Sequence, residues 1–255
     1  MRVLCIVIIA LIWVPFAFAK ETFYSALESK ESVENEGGQV VGGNFAPGQN
    51  GNGFISANAG DVIHFPVENR ILNLKEGTVE CWVKMGFDVP AADKWIVDEF
   101  YMFSTYKLWT DAIFLQFDRR ASELPNGPGA RMRIKSAGKW FNANSGSLEW
   151  KTDEIHHIAG TWGPDGLKLY LDGELAGSTS DIKDGPAVFA DTFEINNNSW
   201  GDLSDPKSSH TNCVVDELRI SDNQKSANEL MIDIPSFVQP DKKIAATWGE
   251  LKNIR

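Results

Sequence analysis

Carboxylates, imidazoles, thiols and indoles are the groups in this chain able to do chemistry, and their spacing limits what that chemistry is. Asp98-Glu99, Asp153-Glu154 and Asp216-Glu217 are adjacent acidic pairs. Neighbouring residues of a strand face opposite sides, whereas i and i+2 share one, so none of these pairs presents two carboxylates together if it lies in a strand. Asp172-Gly173-Glu174 has the i, i+2 spacing, but its Asp-Gly step reads as a hairpin turn. Acid–base cleavage of a glycosidic bond needs two carboxyl groups about 5–5.5 Å apart, or about 6.5–9.5 Å. Local sequence offers none, and a pair assembled from distant strands stays open. His156 and His157 are adjacent and face opposite sides of a predicted strand, so they cannot both ligate one metal without distortion. Neither Cys81 nor Cys213 neighbours a His or Lys, which leaves a thiol nucleophile unsupported. No Gly-x-x-x-x-Gly-Lys run is present to cradle a phosphate.

Asp216 is the acidic residue that stands out. Strict alternation along Cys213–Ile220 groups Val214, Asp216, Leu218 and Ile220 on one face, placing a carboxylate among apolar neighbours. A buried carboxylate without a partner costs several kcal/mol, so it is paired, hydrogen-bonded or metal-bound. Aromatic residues are the other candidates. Trp95, Trp109, Trp140, Trp150, Trp200, Tyr101 and Tyr106 could offer flat platforms to a sugar ring or simply pack the core. Trp109 and Trp200 lie beside predicted loops, the first near Asp111 and the second just after Asn196–Asn198, and are the expected ligand contacts.

The elements that must position these groups are short strands. Segments rich in β-branched and aromatic residues alternate with turn signals: Asp61–Pro66, Thr78–Met85, Lys94–Tyr101, Asp111–Asp118, Ala130–Ser136, Ile155–Trp162, Leu167–Leu171, Glu174–Thr179, Thr192–Asn196 and Cys213–Ile220. This spacing predicts an all-β, two-sheet antiparallel jelly-roll sandwich. Gly163-Pro164-Asp165-Gly166 and Asp172-Gly173 join three of the strands into a meander. One helical piece is predicted, where Ser226-Ala227-Asn228-Glu229 has the form of a capping box ahead of Leu230, with Pro235 as its stop. The Gly37–Gly53 stretch reads as a loop punctuated by Val40, Val41 and Phe45, and the sequence predicts one domain over residues 20–238 with a tail at 239–255.

The first residues are of another kind. Arg2, the apolar run Val3–Phe16 and Ala17-Phe18-Ala19 have the form of a signal peptide cut after Ala19, an uncleaved anchor being the alternative. Cleavage would leave 236 of the 255 residues, two cysteines and a secreted, extracellular or periplasmic domain. In an oxidising compartment Cys81 and Cys213 would pair by default, but two strand residues bridge only when they share a face on neighbouring strands, so both states stay open. The charge of −11, from 35 acidic against 24 basic residues, argues against a nucleic-acid partner.

Three segments together resemble the laminin G-like, concanavalin A-type jelly rolls, a group that includes the pentraxins. They are Gly77-Thr78-Val79-Glu80-Cys81-Trp82-Val83-Lys84, then His156-His157-Ile158-Ala159-Gly160-Thr161-Trp162 leading to Leu169-Tyr170-Leu171-Asp172-Gly173, and finally Val214-Val215-Asp216-Glu217-Leu218-Arg219-Ile220-Ser221. Ile155 departs from the usual Trp before the second segment. The resemblance implies a non-catalytic module that recognises carbohydrate or an extracellular protein through its loops, a structural or adhesion domain being the rival reading. It also implies that Asp216 helps to hold a structural calcium, with backbone carbonyls supplying much of the rest. The alternative is an Asp that tethers the N-terminal strand or a loop through backbone N–H groups. The same fold hosts glycoside hydrolases and polysaccharide lyases, but the Glu-x-Asp run of the similar hydrolases is missing here.

Overall fold

A computed structural model describes residues 20–58, 60–67, 71–89, 99–107, 110–118, 129–196 and 212–232. Among these residues fifteen strands and one short α-helix succeed one another: β1 (Glu21–Ser25), α1 (Lys30–Asn35), β2 (Gln39–Val41), β3 (Asn44–Pro47), β4 (Asn52–Ile55), β5 (Val62–Pro66), β6 (Gly77–Lys84), β7 (Glu99–Lys107), β8 (Asp111–Asp118), β9 (Gly129–Ser136), β10 (Lys139–Asn144), β11 (Ile155–Gly163), β12 (Gly166–Leu171), β13 (Glu174–Thr179), β14 (Thr192–Ile195) and β15 (Val214–Ser221). They form two antiparallel sheets. The first runs β13-β12-β11-β6-β15-β4-β3, with β1 also on β15, and the second runs β10-β9-β8-β7-β14-β5-β2. The predicted two-sheet antiparallel sandwich is therefore the fold.

Alternation builds the core. Val79, Cys81 and Val83 of β6 meet Ile113, Leu115 and Phe117 of β8 in one apolar layer between the sheets, all without solvent exposure. Phe65 and Phe193 stack at 5.3 Å in that layer, and Phe23 packs edge-on against both. Asn196 crosses between the sheets, donating through Nδ2 to the carbonyls of Phe54 (3.2 Å) and Cys213 (3.3 Å). Asp172-Gly173 takes the two left-handed conformations of a tight hairpin turn, φ 48° and 82°, as the Asp-Gly signal predicted. The chain also returns to its start: β1 pairs with β15, and the amide of Asp222 donates to the carbonyl of Lys20.

Several expectations are corrected. The Gly37–Gly53 stretch is not a loop but carries β2, β3 and the first half of β4, because Val40, Phe45 and Phe54 all reach the core. Gly42 and Gly43, at φ 63° and 69°, pass the chain from one sheet to the other, where a side chain on Gly43 would strike the Phe54 ring. The predicted helix at Ser226 is a single 3-10 turn, Ala227–Glu229. Its capping contact forms, with the Glu229 carboxylate accepting from the Ser226 amide (2.8 Å) and hydroxyl (2.6 Å). The turn then stops because Leu230 is drawn onto Ala159 and Tyr170 of the outer sheet face. The helix that does form, α1, uses Ser29 and Ser32 as its capping pair, where a Glu would have announced it. β1 and β10 were also not foreseen. The strand read as Lys94–Tyr101 is seen as Glu99–Lys107, its predicted beginning lying outside the described residues, as do residues 1–19 and the tail.

Candidate functional site

The expected face of Asp216 is wrong, and a bulge explains why. On β15, Asp216 pairs with Trp82 of β6 while Arg219 pairs with Glu80, so Glu217 and Leu218 together oppose Cys81. Glu217 takes φ 54°, and the alternation reverses across it. Val215, Leu218 and Ile220 enter the core, whereas Val214 and Asp216 face outward with Trp82 and Lys84. The bulge also turns Glu217 outward. Its carboxylate accepts from Tyr24 Oη and Asn50 Nδ2, both at 3.1 Å, and from Arg219 at 3.1 Å. Adjacent Asp216 and Glu217, expected on opposite faces, thus reach one side around Asn50.

The β3–β4 turn lies over this pair. The Asn50 amide donates to Asp216 Oδ2 at 2.9 Å, and a side chain on Gly48 would collide with that same oxygen. This is the loop tether weighed from the sequence. Asp216 Oδ1, by contrast, is buried without a hydrogen-bond partner among the described residues. Burial pushes the carboxyl up to about 7, against the Asn50 amide and with the help of neighbouring Glu217. An orphaned carboxylate oxygen beside a second carboxylate suits an oxygen-seeking cation such as calcium, so the residues present fit the implied metal. Among the described residues no cluster of three or more acidic, His or Cys side chains forms a cage.

The two cysteines are not joined. Both face the core, Cys81 on β6 and Cys213 just before β15, but Val215 pairs with Val83, which sets Cys213 level with Met85, four residues beyond Cys81. That offset is about 13 Å along a strand, against a reach of about 7 Å for a disulfide.

The outward face of the seven-stranded sheet holds the larger concentration of polar chemistry. Gln39, His64, Glu194, Ser104, Phe114, Arg133 and Asn142 stand in register in one row across all seven strands. Flanking rows hold Tyr101, Gln116 and Arg131 on one side, and Ala112, Lys135 and Trp140 on the other. The outer face of an antiparallel sheet is normally solvated. Here Gln116 and Asp118 are fully buried, Arg131 is 1 % exposed and Arg133 and Lys135 are 8 % exposed. Arg131 bonds Asp118 at 2.7 Å, and Arg133 Nε donates to Asn142 at 2.9 Å. Trp140 lies beneath two cations, Arg133 at 4.2 Å and Lys135 at 4.9 Å from its ring, and beside Phe114. His64 approaches Glu194 at 3.5 Å, and burial holds its pKa below the usual imidazole value. Sequence reasoning missed this field. Its signal was the i, i+2, i+4 spacing of Arg131, Arg133 and Lys135 on β9, with Gln116 and Asp118 spaced alike on β8.

The remaining candidates resolve differently. Trp109 and Trp200, like Trp95, lie outside the described residues. Trp150 packs against the core and stacks on His156 at 3.8 Å. His156 and His157 do face opposite sides. His156 bonds Asp172 at 2.8 Å, while His157 is buried against Glu80 at 3.2 Å. Glu80 also receives Lys225 and the Met231 amide, so the segment after β15 is strapped over the outer face of the eight-stranded sheet.

No curated protein sequence matches the chain. Among solved structures, it is similar to domain 4 of AbnA, an extracellular GH43 arabinanase of Geobacillus stearothermophilus in complex with arabinotriose: 18% identity, TM-score 0.60, covering 83% of this chain and 97% of that one. It is also similar to the receptor-binding domain of botulinum neurotoxin D, at 16% identity and a TM-score of 0.54 over 82% of this chain, and spans about half of that domain (50%). The serotype G binding domain is similar at 12% identity and a TM-score of 0.54, covering 75% of this chain and 44% of that one. At these identities the likeness is one of fold. Residues 57–231, which hold all three motif segments and most of both sheets, match the laminin G-like family described as the concanavalin A-like lectin/glucanases superfamily, and the chain belongs to it.

Proposed function

We propose that this chain is a non-catalytic carbohydrate-binding module exported by its N-terminal segment, with the outward face of the seven-stranded sheet as its recognition surface. The observation that carries the reading is the polar and aromatic field around Trp140, Arg133 and Asn142, in which Trp140 and Asn142 stay half-buried and open to a ligand over a buried polar floor. A sheet face that keeps charged and polar side chains in register with aromatic rings matches the needs of a ligand rich in hydroxyl groups and flat apolar faces. The arabinotriose held by the similar arabinanase domain supports a sugar over other polar ligands. Trp109 and Trp200 are proposed as further contacts.

Asp216 is proposed to hold a structural calcium through Oδ1, with backbone oxygens of the β3–β4 turn completing its shell. The ion would neutralise a buried carboxylate and fasten the turn. Adding calcium to chelator-stripped protein then raises the melting temperature of the native chain and not of Asp216→Asn. No shift in the native chain ends this assignment.

Binding is tested by a glycan array followed by calorimetry with arabinotriose and with the strongest array hits. Trp140→Ala should weaken any sugar found by about tenfold or more, the loss of one aromatic platform. Absence of binding to every glycan, together with a co-purifying protein partner, would favour the protein-interaction reading instead.

A further inference from the structure

The strap held by Glu80 covers only part of the outer face of the eight-stranded sheet. Beyond it, four strands end in a row of outward side chains: Ala46 of β3, Ile55 of β4, Val214 of β15 and Lys84 of β6, with Ile55, Val214 and Lys84 in direct register. A pocket of about 250 Å³ opens over them. Its walls come from residues 85–86, from Thr152 and Asp153 and from Asn212, most of them exposed at the rim. The lining is divided by chemistry. Its floor is aliphatic, while its rim holds an ammonium and a carboxylate, Lys84 Nζ and Asp153 Oδ1, 3.2 Å apart. Asp153 is exposed and Lys84 half-buried, so water screens their mutual attraction, which is weak and readily exchanged for other partners. Two residues of the wall, Asp153 (φ 69°) and Asn212 (φ 57°), also hold left-handed backbone, a conformation found at only seven non-glycine positions among the described residues.

We propose that this pocket is a second sugar site, on the opposite face of the sandwich from the Trp140 field, and that it takes a single neutral sugar unit. A sugar ring presents C–H groups on its faces and adjacent hydroxyls on its edge. The aliphatic floor fits the first, and the donor–acceptor pair fits two neighbouring hydroxyls, Lys84 donating to one and Asp153 accepting from the other. A pocket this small, with one cation and one anion, excludes a long chain laid flat and gives no net charge to attract an anionic sugar. The inference shares with the proposed function the premise that the domain binds sugars, but it uses different residues.

The test is a titration of isotopically labelled protein with D-glucose, D-galactose, D-mannose and L-arabinose at millimolar concentration, followed through backbone amide shifts. At least one sugar should shift the Gly86, Thr152 and Asn212 amides saturably. The variant Lys84→Met with Asp153→Asn should weaken that response by about tenfold. Asn is chosen because it tolerates the left-handed backbone at that position, and an unchanged spectrum elsewhere shows that the variant is folded. No saturable shift at these amides with any of the four sugars, or a shift that the double variant leaves intact, overturns the proposal. Shifts confined to Asn142, Ala143 and the Trp140 indole refute the second site while leaving the proposed function standing. Shifts confined to the pocket support it and refute the Trp140 face.

Discussion

His156 illustrates how a residue can couple this fold to pH. Its ring stacks on Trp150 and sits between Asp172 at 2.8 Å and Glu154 at 3.4 Å. Burial works against the imidazolium, but the two carboxylates outweigh it and raise the pKa above the usual histidine value. A folded-state pKa above the unfolded one gives stability that is fully present below about 6.5 and lost as the pH rises through the raised value. The Asp172 and Glu154 carboxyls are shifted down, so their share is present at neutral pH and lost as the pH falls through their folded values. Urea melts across the neutral range should therefore show the stability advantage of the native chain over His156→Gln shrinking from pH 6 to pH 8.5. An advantage independent of pH would remove the charge from the explanation. Glu80 acts differently, as a fully enclosed anchor for His157, Lys225 and the Met231 amide. Glu80→Ala strands a buried ammonium and should lower the unfolding free energy by about 3–5 kcal/mol, with faster hydrogen exchange at Met231 as the local sign.

At the scale of elements, the bulge in β15 has the largest effect on chemistry. Without it Asp216 would point into the core and Glu217 away from it; with it both reach Asn50. Alternation alone could not reveal this, because one inserted residue reverses every later assignment on the strand. A second close fit lies where the sheets meet at one edge. Gly177 of β13 lies against β10 so tightly that a Cβ there would stand 2.2 Å from the Asn144 carbonyl oxygen. Gly177→Val should destabilise the fold by about 1–3 kcal/mol through overpacking, read as a drop in the urea midpoint with an unchanged slope. An unchanged midpoint would mean that the two edges part without cost.

Over the whole molecule, the strands of the core were legible and the rim was not. β8 and β13 appear with the bounds read from the sequence, and β6, β11 and β12 differ by a residue or so; the turn signals Gly163–Gly166 and Asp172-Gly173 delimit β11, β12 and β13. β2, β3 and β4 escaped because three or four residues among glycines carry too few periods to register, although Val40, Phe45 and Phe54 had marked them as more than solvent-exposed loop. The Trp140 field escaped for another reason: it is assembled from seven strands distant in sequence, and only register brings its residues into line. The offset that keeps Cys81 from Cys213 is likewise a property of register, invisible to composition.

The meeting of β1 with β15 also fixes how the domain would respond to mechanical force. Lys20 and Asp222, joined through the backbone, mark the same end of an antiparallel pair. Tension applied through these two points loads the ladder one hydrogen bond at a time, from Glu21–Ser221 inward, rather than in parallel. The domain should therefore unzip at low force in a single-molecule experiment pulling between residues 20 and 222. The same pull between Lys20 and a site in β13, at the far edge of the sheet, should meet higher resistance. Equal forces in the two geometries would show that this strand pair is not the first element to part.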